Sequence, residues 1–168
     1  MLQPTETMMT GRIILIAVAT AFFAKAHAAE PEATTSYASD LSHVYLGYHQ
    51  VVMQKEVCDT SVPATRAANG KAFADWQAQH KTLIDEVQRR VTAMIRLASV
   101  DEKDYARNVG KYEGEMLQVL QEQRESLLKL GANELRSQCQ RMAAVLKSSE
   151  ADLAKVYAVE LEAIHKRK

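Results

Sequence analysis

The sequence predicts an all-α protein: an antiparallel up-down four-helix bundle with long helices and one disulfide. Three observations lead there. Only six Gly and three Pro punctuate 168 residues, too few turn formers for a sandwich or barrel, whereas the helix formers Ala, Leu, Gln, Glu, Lys and Arg are abundant. Apolar residues recur at spacings of three and four over long stretches, the period of a helix face. The breaks between those stretches are short, and short connections join antiparallel neighbours.

The N-terminus reads as a secretory address. Residues 1–28 carry Arg12, an apolar run from Ile13 to Ala24, and Ala26-His27-Ala28 as a small-x-small cleavage site, the three parts of a signal peptide. That run has 12 residues before Lys25, against roughly 20 for a membrane span, so cleavage is expected after Ala28. Met8 or Met9 serves equally well as the start. Cys58 is the first cysteine, which excludes a lipidated cysteine at the cleavage point. Losing Arg12, Lys25 and Glu6 leaves 19 basic and 20 acidic residues from the original 21 of each, a net charge of −1. The absence of an Asn-x-Ser/Thr sequon favours a bacterial periplasm over a eukaryotic secretory route. The expected organisation is therefore a leader (1–28), an N-terminal arm (29–38) and a helical domain (39–168), soluble after cleavage.

The first helix is expected from Ser39 to Val57, with Leu41, Val44, Tyr45, Tyr48, Val51 and Val52 on one face. The segment Cys58 to Pro63 breaks it, and Pro63 suits the first turn of a second helix. The second face runs through Phe73, Trp76, His80, Leu83, Ile84, Val87, Val91, Met94, Ile95 and Ala98. Asn69-Gly70 marks a candidate turn inside it. Ser99 and Glu102 form a capping box for a third helix, whose face is Tyr105, Val109, Tyr112, Met116, Leu120, Leu127 and Leu130, with Gly131 as its C-terminal cap. Asn133 is the expected cap of a fourth helix running past Leu161 and Ile164 almost to the terminus, with Ser148-Ser149 as a candidate bend.

This topology places the end of helix one beside the start of helix four, so Cys58 and Cys139 are expected to meet. An oxidising compartment would join them, closing a loop of 81 residues and stabilising the fold by about 4 kcal/mol. The bridge also sets a register. Helix one reaches back about 19 residues from Cys58 while helix four continues 29 beyond Cys139, a mismatch of roughly 15 Å at 1.5 Å per residue. A three-walled apolar groove is expected in the gap, lined by Met94, Ile95, Tyr105 and Val109 on one side and Val156, Tyr157, Leu161 and Ile164 on the other. The arm, a second subunit or a partner helix are its candidate occupants.

Charge and composition exclude more than they assign. A balanced charge, a pI near 7.0 and 6% aromatics offer no field or stacking platform for nucleic acid. No Gly-rich phosphate loop or Ser-His-acid motif occurs, so no catalytic residue is expected. Two acid-x-x-His pairs, Asp40 with His43 and Glu162 with His165, have the spacing that supplies dinuclear metal sites in bundles. The expected register sets His43 level with Ala154 and leaves His165 about 16 Å further along, too far to share a metal, and no cofactor is expected. His49 with Met53, and Trp76 with His80, are one turn apart and read as packing pairs. The functional expectation is a non-catalytic exported bundle that binds a protein or envelope component through its groove or a helix face. A carrier of a small ligand, metal or haem using His43, His49 or His80 is the alternative.

Overall fold

The computed structural model describes residues 37–167; the leader and residues 29–36 of the arm lie outside the described residues. The described chain is all-α, with no strand and one disulfide. It forms six helices: α1 (Tyr37–Ser61), α2 (Arg66–Leu97), α3 (Glu102–Leu128), α4 (Ala132–Val145), α5 (Leu153–Val156) and α6 (Ala158–Lys166). None of them is long and apolar enough to cross a membrane.

α1 is the hub, and each of the other five helices packs on it. Of its buried positions, Asp40, Val44, Gly47, Val51 and Cys58 form one stripe and Leu41 and Val57 flank it on either side, and most of the remainder is half-buried. A helix surrounded on several sides has no need of a wide polar face. The residues Cys58 to Ser61 were expected to break it, yet they form its last turn. A 3-10 turn at Pro63–Thr65 makes the reversal, closed by Thr65 donating to the Val62 carbonyl at 2.9 Å. Pro63 opens that turn rather than α2.

Asn69-Gly70 does not interrupt α2. Asn69 is buried, and its amide donates to Thr65 Oγ1 at 3.1 Å and to the Cys139 carbonyl at 3.0 Å, so a residue that favours turns serves as a polar tie between α2 and α4. The α2 face is otherwise as the periodicity predicts, with Trp76, His80, Val87, Val91 and Ile95 buried. The cap of α3 is Asp101, whose carboxylate accepts from the Asp104 amide at 2.8 Å, while the Ser99 hydroxyl donates back to the Ile95 carbonyl at 2.7 Å. An aspartate two residues nearer the helix displaces the serine from that role. Gly131, expected to end α3, stands instead at the N-cap of α4 with φ −60°, so no left-handed conformation is used there.

The expected fourth helix is broken into three pieces. The Ser148 hydroxyl donates to the Val145 carbonyl at 2.8 Å and accepts from the Glu150 amide at 3.2 Å. A 3-10 turn follows at Ser149–Ala151, and Asp152 caps α5 by accepting from the Ala154 amide at 3.1 Å. Such side-chain to backbone bonds compete directly with the helix ladder. The break also frees the Ala151 carbonyl to accept the buried Trp76 indole N–H at 2.7 Å.

That break changes the register. Cys58 and Cys139 are bridged, with Cα atoms 5.3 Å apart, as expected. His43, however, lies level with Glu160, their Nδ1 and Oε1 4.0 Å apart, not with Ala154. The six residues of difference are roughly 9 Å of straight helix, absorbed between Val145 and Ala158. Since 21 residues separate Tyr37 from Cys58 and 27 separate Cys139 from Lys166, absorbing six makes the ends of α1 and α6 flush. Two apolar clusters fill the interior, one at the disulfide end around Val57, Trp76, Leu127, Leu135 and Met142, the other at the opposite end around Leu41, Val44, Val91, Ile95, Leu161 and Ile164.

Candidate functional site

The residues assigned to the groove fall in or against that second cluster. Ile164 is 1% exposed, Leu161 7%, and Ile95 is buried with them against Leu41 and Val44 of α1. Met94, Tyr105, Val109 and Tyr157 are half-buried against the same cluster. Only Val156 of the set stands exposed. The mismatch predicted from a straight fourth helix is gone, and α1 packs directly on these residues, with Tyr37 of the expected arm against the same cluster. Tyr157 shows how tightly: its ring lies on Gly47, where an added Cβ would come within 3.0 Å of Oη, Cζ and Cε2. Gly47, between Tyr45 and Tyr48 in sequence, is the site of this close approach.

The open apolar positions lie elsewhere. α3 buries only Leu120 and Leu127 of its 27 residues, and its outward side presents Leu117, 61% exposed, and Leu128, 47% exposed. On the same outward side a Cβ added at Gly110 or Gly114 would meet nothing within 4 Å. The end of α2 and the connection to α3 carry two further solvated side chains, Leu97 and Val100, 89% and 91% exposed. Beside them Arg96 lays its guanidinium 3.7 Å from the Tyr105 ring centre and pairs with Glu102. These positions had a sequence signal: Leu117 and Leu128 fall off the stripe of α3 that continues through Tyr112, Met116 and Leu120, so the periodicity leaves them without an internal partner.

The histidines are separated. His49, on α1, sits between the Tyr45 and Tyr48 rings at 4.5 and 5.0 Å, and its Nε2 is buried without a hydrogen-bond partner. His80, on α2, packs 5.2 Å from Trp76, with Nε2 likewise buried and unpartnered. Burial pushes both imidazoles below their ordinary value, an effect that Asp152 partly offsets at His80. Both therefore favour the neutral form. Tyr48 stacks on Trp76 at 6.2 Å, so a run of rings from Tyr112 through Tyr45, His49 and Tyr48 to Trp76 links α3, α1 and α2. Such a run is a packing device that also fixes ring orientation.

His43 is exposed and faces Glu160, while His165 faces Glu86 at 3.3 Å, so neither acid-x-x-His pair turns toward the other. No group of three or more His, Cys, Asp or Glu side chains among the described residues is placed to hold a metal ion. Between α1, α2 and α5 the interior space lined by Val44, Tyr45, Leu83, Ile84 and Val87 measures about 10 Å³, room for one water at most. One polar group stands out: Asp40 is fully buried, and neither carboxylate oxygen has a hydrogen-bond partner. Compared with known protein families, characterised proteins and solved structures, the chain matches none.

Proposed function

We propose that this chain is a non-catalytic helical binding module that works outside the cytoplasm, takes a protein or envelope component, and uses the outward face of α3 to do so. The observation that carries the reading is the exposure of Leu117 and Leu128 on a long helix that buries only two of its own side chains. An apolar pair held in water on a rigid element gains free energy when a partner covers it. The reading moves the binding surface from the expected groove, whose residues are spent on the core, to a face the core leaves unused.

The export step rests on the leader-like sequence and on the Cys58–Cys139 disulfide, which persists in an oxidising compartment. The up-down topology belongs to the same proposal. Its support is pairwise: Tyr37 meets Arg90 and Tyr48 meets Gln77, so α1 and α2 run oppositely; Ser42 meets Tyr112, while His43 meets Glu160 and Cys58 meets Cys139. In this reading α4, α5 and α6 together are the fourth rod.

A photoreactive residue replacing Leu117 in the exporting cell tests the binding face. A discrete covalent adduct is expected there and not from the same residue at exposed Thr92 on α2. No adduct at position 117 removes the reading. The mass of the recovered chain tests export: a species beginning at Ala29 and lighter than the reduced chain by two hydrogens is expected, and an intact leader overturns it.

A further inference from the structure

We propose that the outward face of α3 is self-complementary and pairs, antiparallel, with α3 of a second copy of this chain. The inference rests on the reading of that face as the binding surface and names its occupant. Gly110, Gly114, Leu117, Gln121, Arg124 and Leu128 succeed one another at spacings of four and three, which is the 3.5-residue seam along which two helices pack. All are exposed except the half-buried Arg124.

The order of side chains along the seam decides the direction. When two copies are related by a two-fold axis and Leu117 is set opposite the partner's Gln121, the same register sets Arg124 opposite the partner's Gly114 and Leu128 opposite the partner's Gly110. Arg124 and Leu128 then each face a glycine, and Leu117 lies against the aliphatic stem of the partner's Gln121 at the centre. The open space at both glycines is what the partner's Arg124 and Leu128 fill. A parallel pair would instead set glycine on glycine, leaving voids, and Arg124 on Arg124.

Charge follows the same register. On the helical period Arg124 comes beside the partner's Glu113, and Lys111 comes alongside the partner's Glu125. Gln118 meets the partner's Gln118 near the axis. In the single chain Lys111 reaches Glu115 at 3.9 Å, Gln118 reaches Glu122 at 3.2 Å and Gln121 reaches Glu125 at 2.9 Å, all exposed contacts along the helix that cost little to exchange. Every attraction is made twice, as a two-fold interface requires.

The size of the seam sets its strength. From Gly110 to Leu128 it runs about 27 Å and is about 10 Å wide, a footprint well short of the roughly 800 Å² per partner of a stable complex. The association is therefore weak and concentration-dependent.

The test is sedimentation of the mature, oxidised chain from micromolar to millimolar concentration, together with a cross-linking experiment on register. The mass is expected to rise from one chain toward two, and the Leu117→Lys, Leu128→Lys variant to weaken association at least tenfold with its helical signal unchanged. Mixing the Leu117→Cys chain with the Gln121→Cys chain is expected to give a mixed disulfide in preference to either self-linked product. A single-chain mass at every concentration overturns the proposal, as does unchanged association of the lysine variant. Dominant self-linking of the Leu117→Cys chain also overturns it, because it reports a parallel pair. A photo-adduct at position 117 to a different protein, with a single-chain mass in sedimentation, leaves the binding face standing and removes the second copy as its occupant.

Discussion

Gly47 beneath Tyr157 offers a test whose sign depends on the packing. In a helix interior, Gly→Ala ordinarily stabilises by about 1 kcal/mol, because alanine loses less backbone entropy on folding. At Gly47 the new methyl would come within 3.0 Å of three atoms of the Tyr157 ring tip. A Tyr ring swings only as a rigid plate, and this one is seated at the α5–α6 junction against both apolar clusters. Forcing one carbon into such a site costs about 1–3 kcal/mol. Gly47→Ala should therefore leave the wild-type chain less stable, or at best unchanged, and not gain the usual increment. Removing the ring by Tyr157→Ala lowers stability through the lost packing, but in that background Gly47→Ala should stabilise by about 1 kcal/mol. The coupling between the two sites is then about 1–3 kcal/mol. Urea unfolding of the oxidised chain, followed through Trp76 fluorescence and far-UV circular dichroism across the four-member cycle, measures it. A Gly47→Ala increment of the same sign and size in both backgrounds would refute the close approach of the Tyr157 ring to Gly47.

Three further outcomes follow from the packing. Replacing Cys58 and Cys139 by Ala should lower unfolding free energy by about 4 kcal/mol, since the bridge closes 81 residues; a loss under about 1 kcal/mol by urea titration would mean that the unfolded chain is already restricted there. Trp76→Phe keeps most of the buried ring but orphans the Ala151 carbonyl, so a cost of about 1–3 kcal/mol is expected, accompanied by faster amide exchange at Ser149 to Asp152. On acidification His49 and His80 hold their protons less tightly in the native than in the unfolded chain, because burial lowers both pKa values. The unfolded state then binds more protons, and the stability these residues give is complete above about pH 6.5 and lost as pH falls below it. The urea midpoint should fall between pH 7 and pH 5, and His49→Gln with His80→Gln should flatten that slope; a midpoint that rises on acidification would contradict the burial of the two rings.

What the sequence determined by itself is what local chemistry decides. Apolar spacing marked the α2 stripe from Trp76 to Ile95, because a side chain buries only where the helical period returns it to the same face. Two cysteines, a leader-like N-terminus and a helix-ending segment sufficed to pair Cys58 with Cys139. The sequence marked Ser148-Ser149 as a candidate bend, and helix four does break there; tertiary structure decided how much chain the break takes up. Ser148 and Asp152 offer bonds that compete with a helix, and the Ala151 carbonyl freed between them is taken by Trp76, 75 positions distant in sequence. Six residues of slack there shift the register, bring Leu161 and Ile164 down on Leu41 and Val44, and close the groove that a straight helix would have left open. A one-helix period cannot reveal this, because it ranks faces within a helix and says nothing of the axial offset between two helices. The same limit explains α3: its inward stripe was legible, whereas the value of its outward residues depends on what the rest of the chain leaves uncovered.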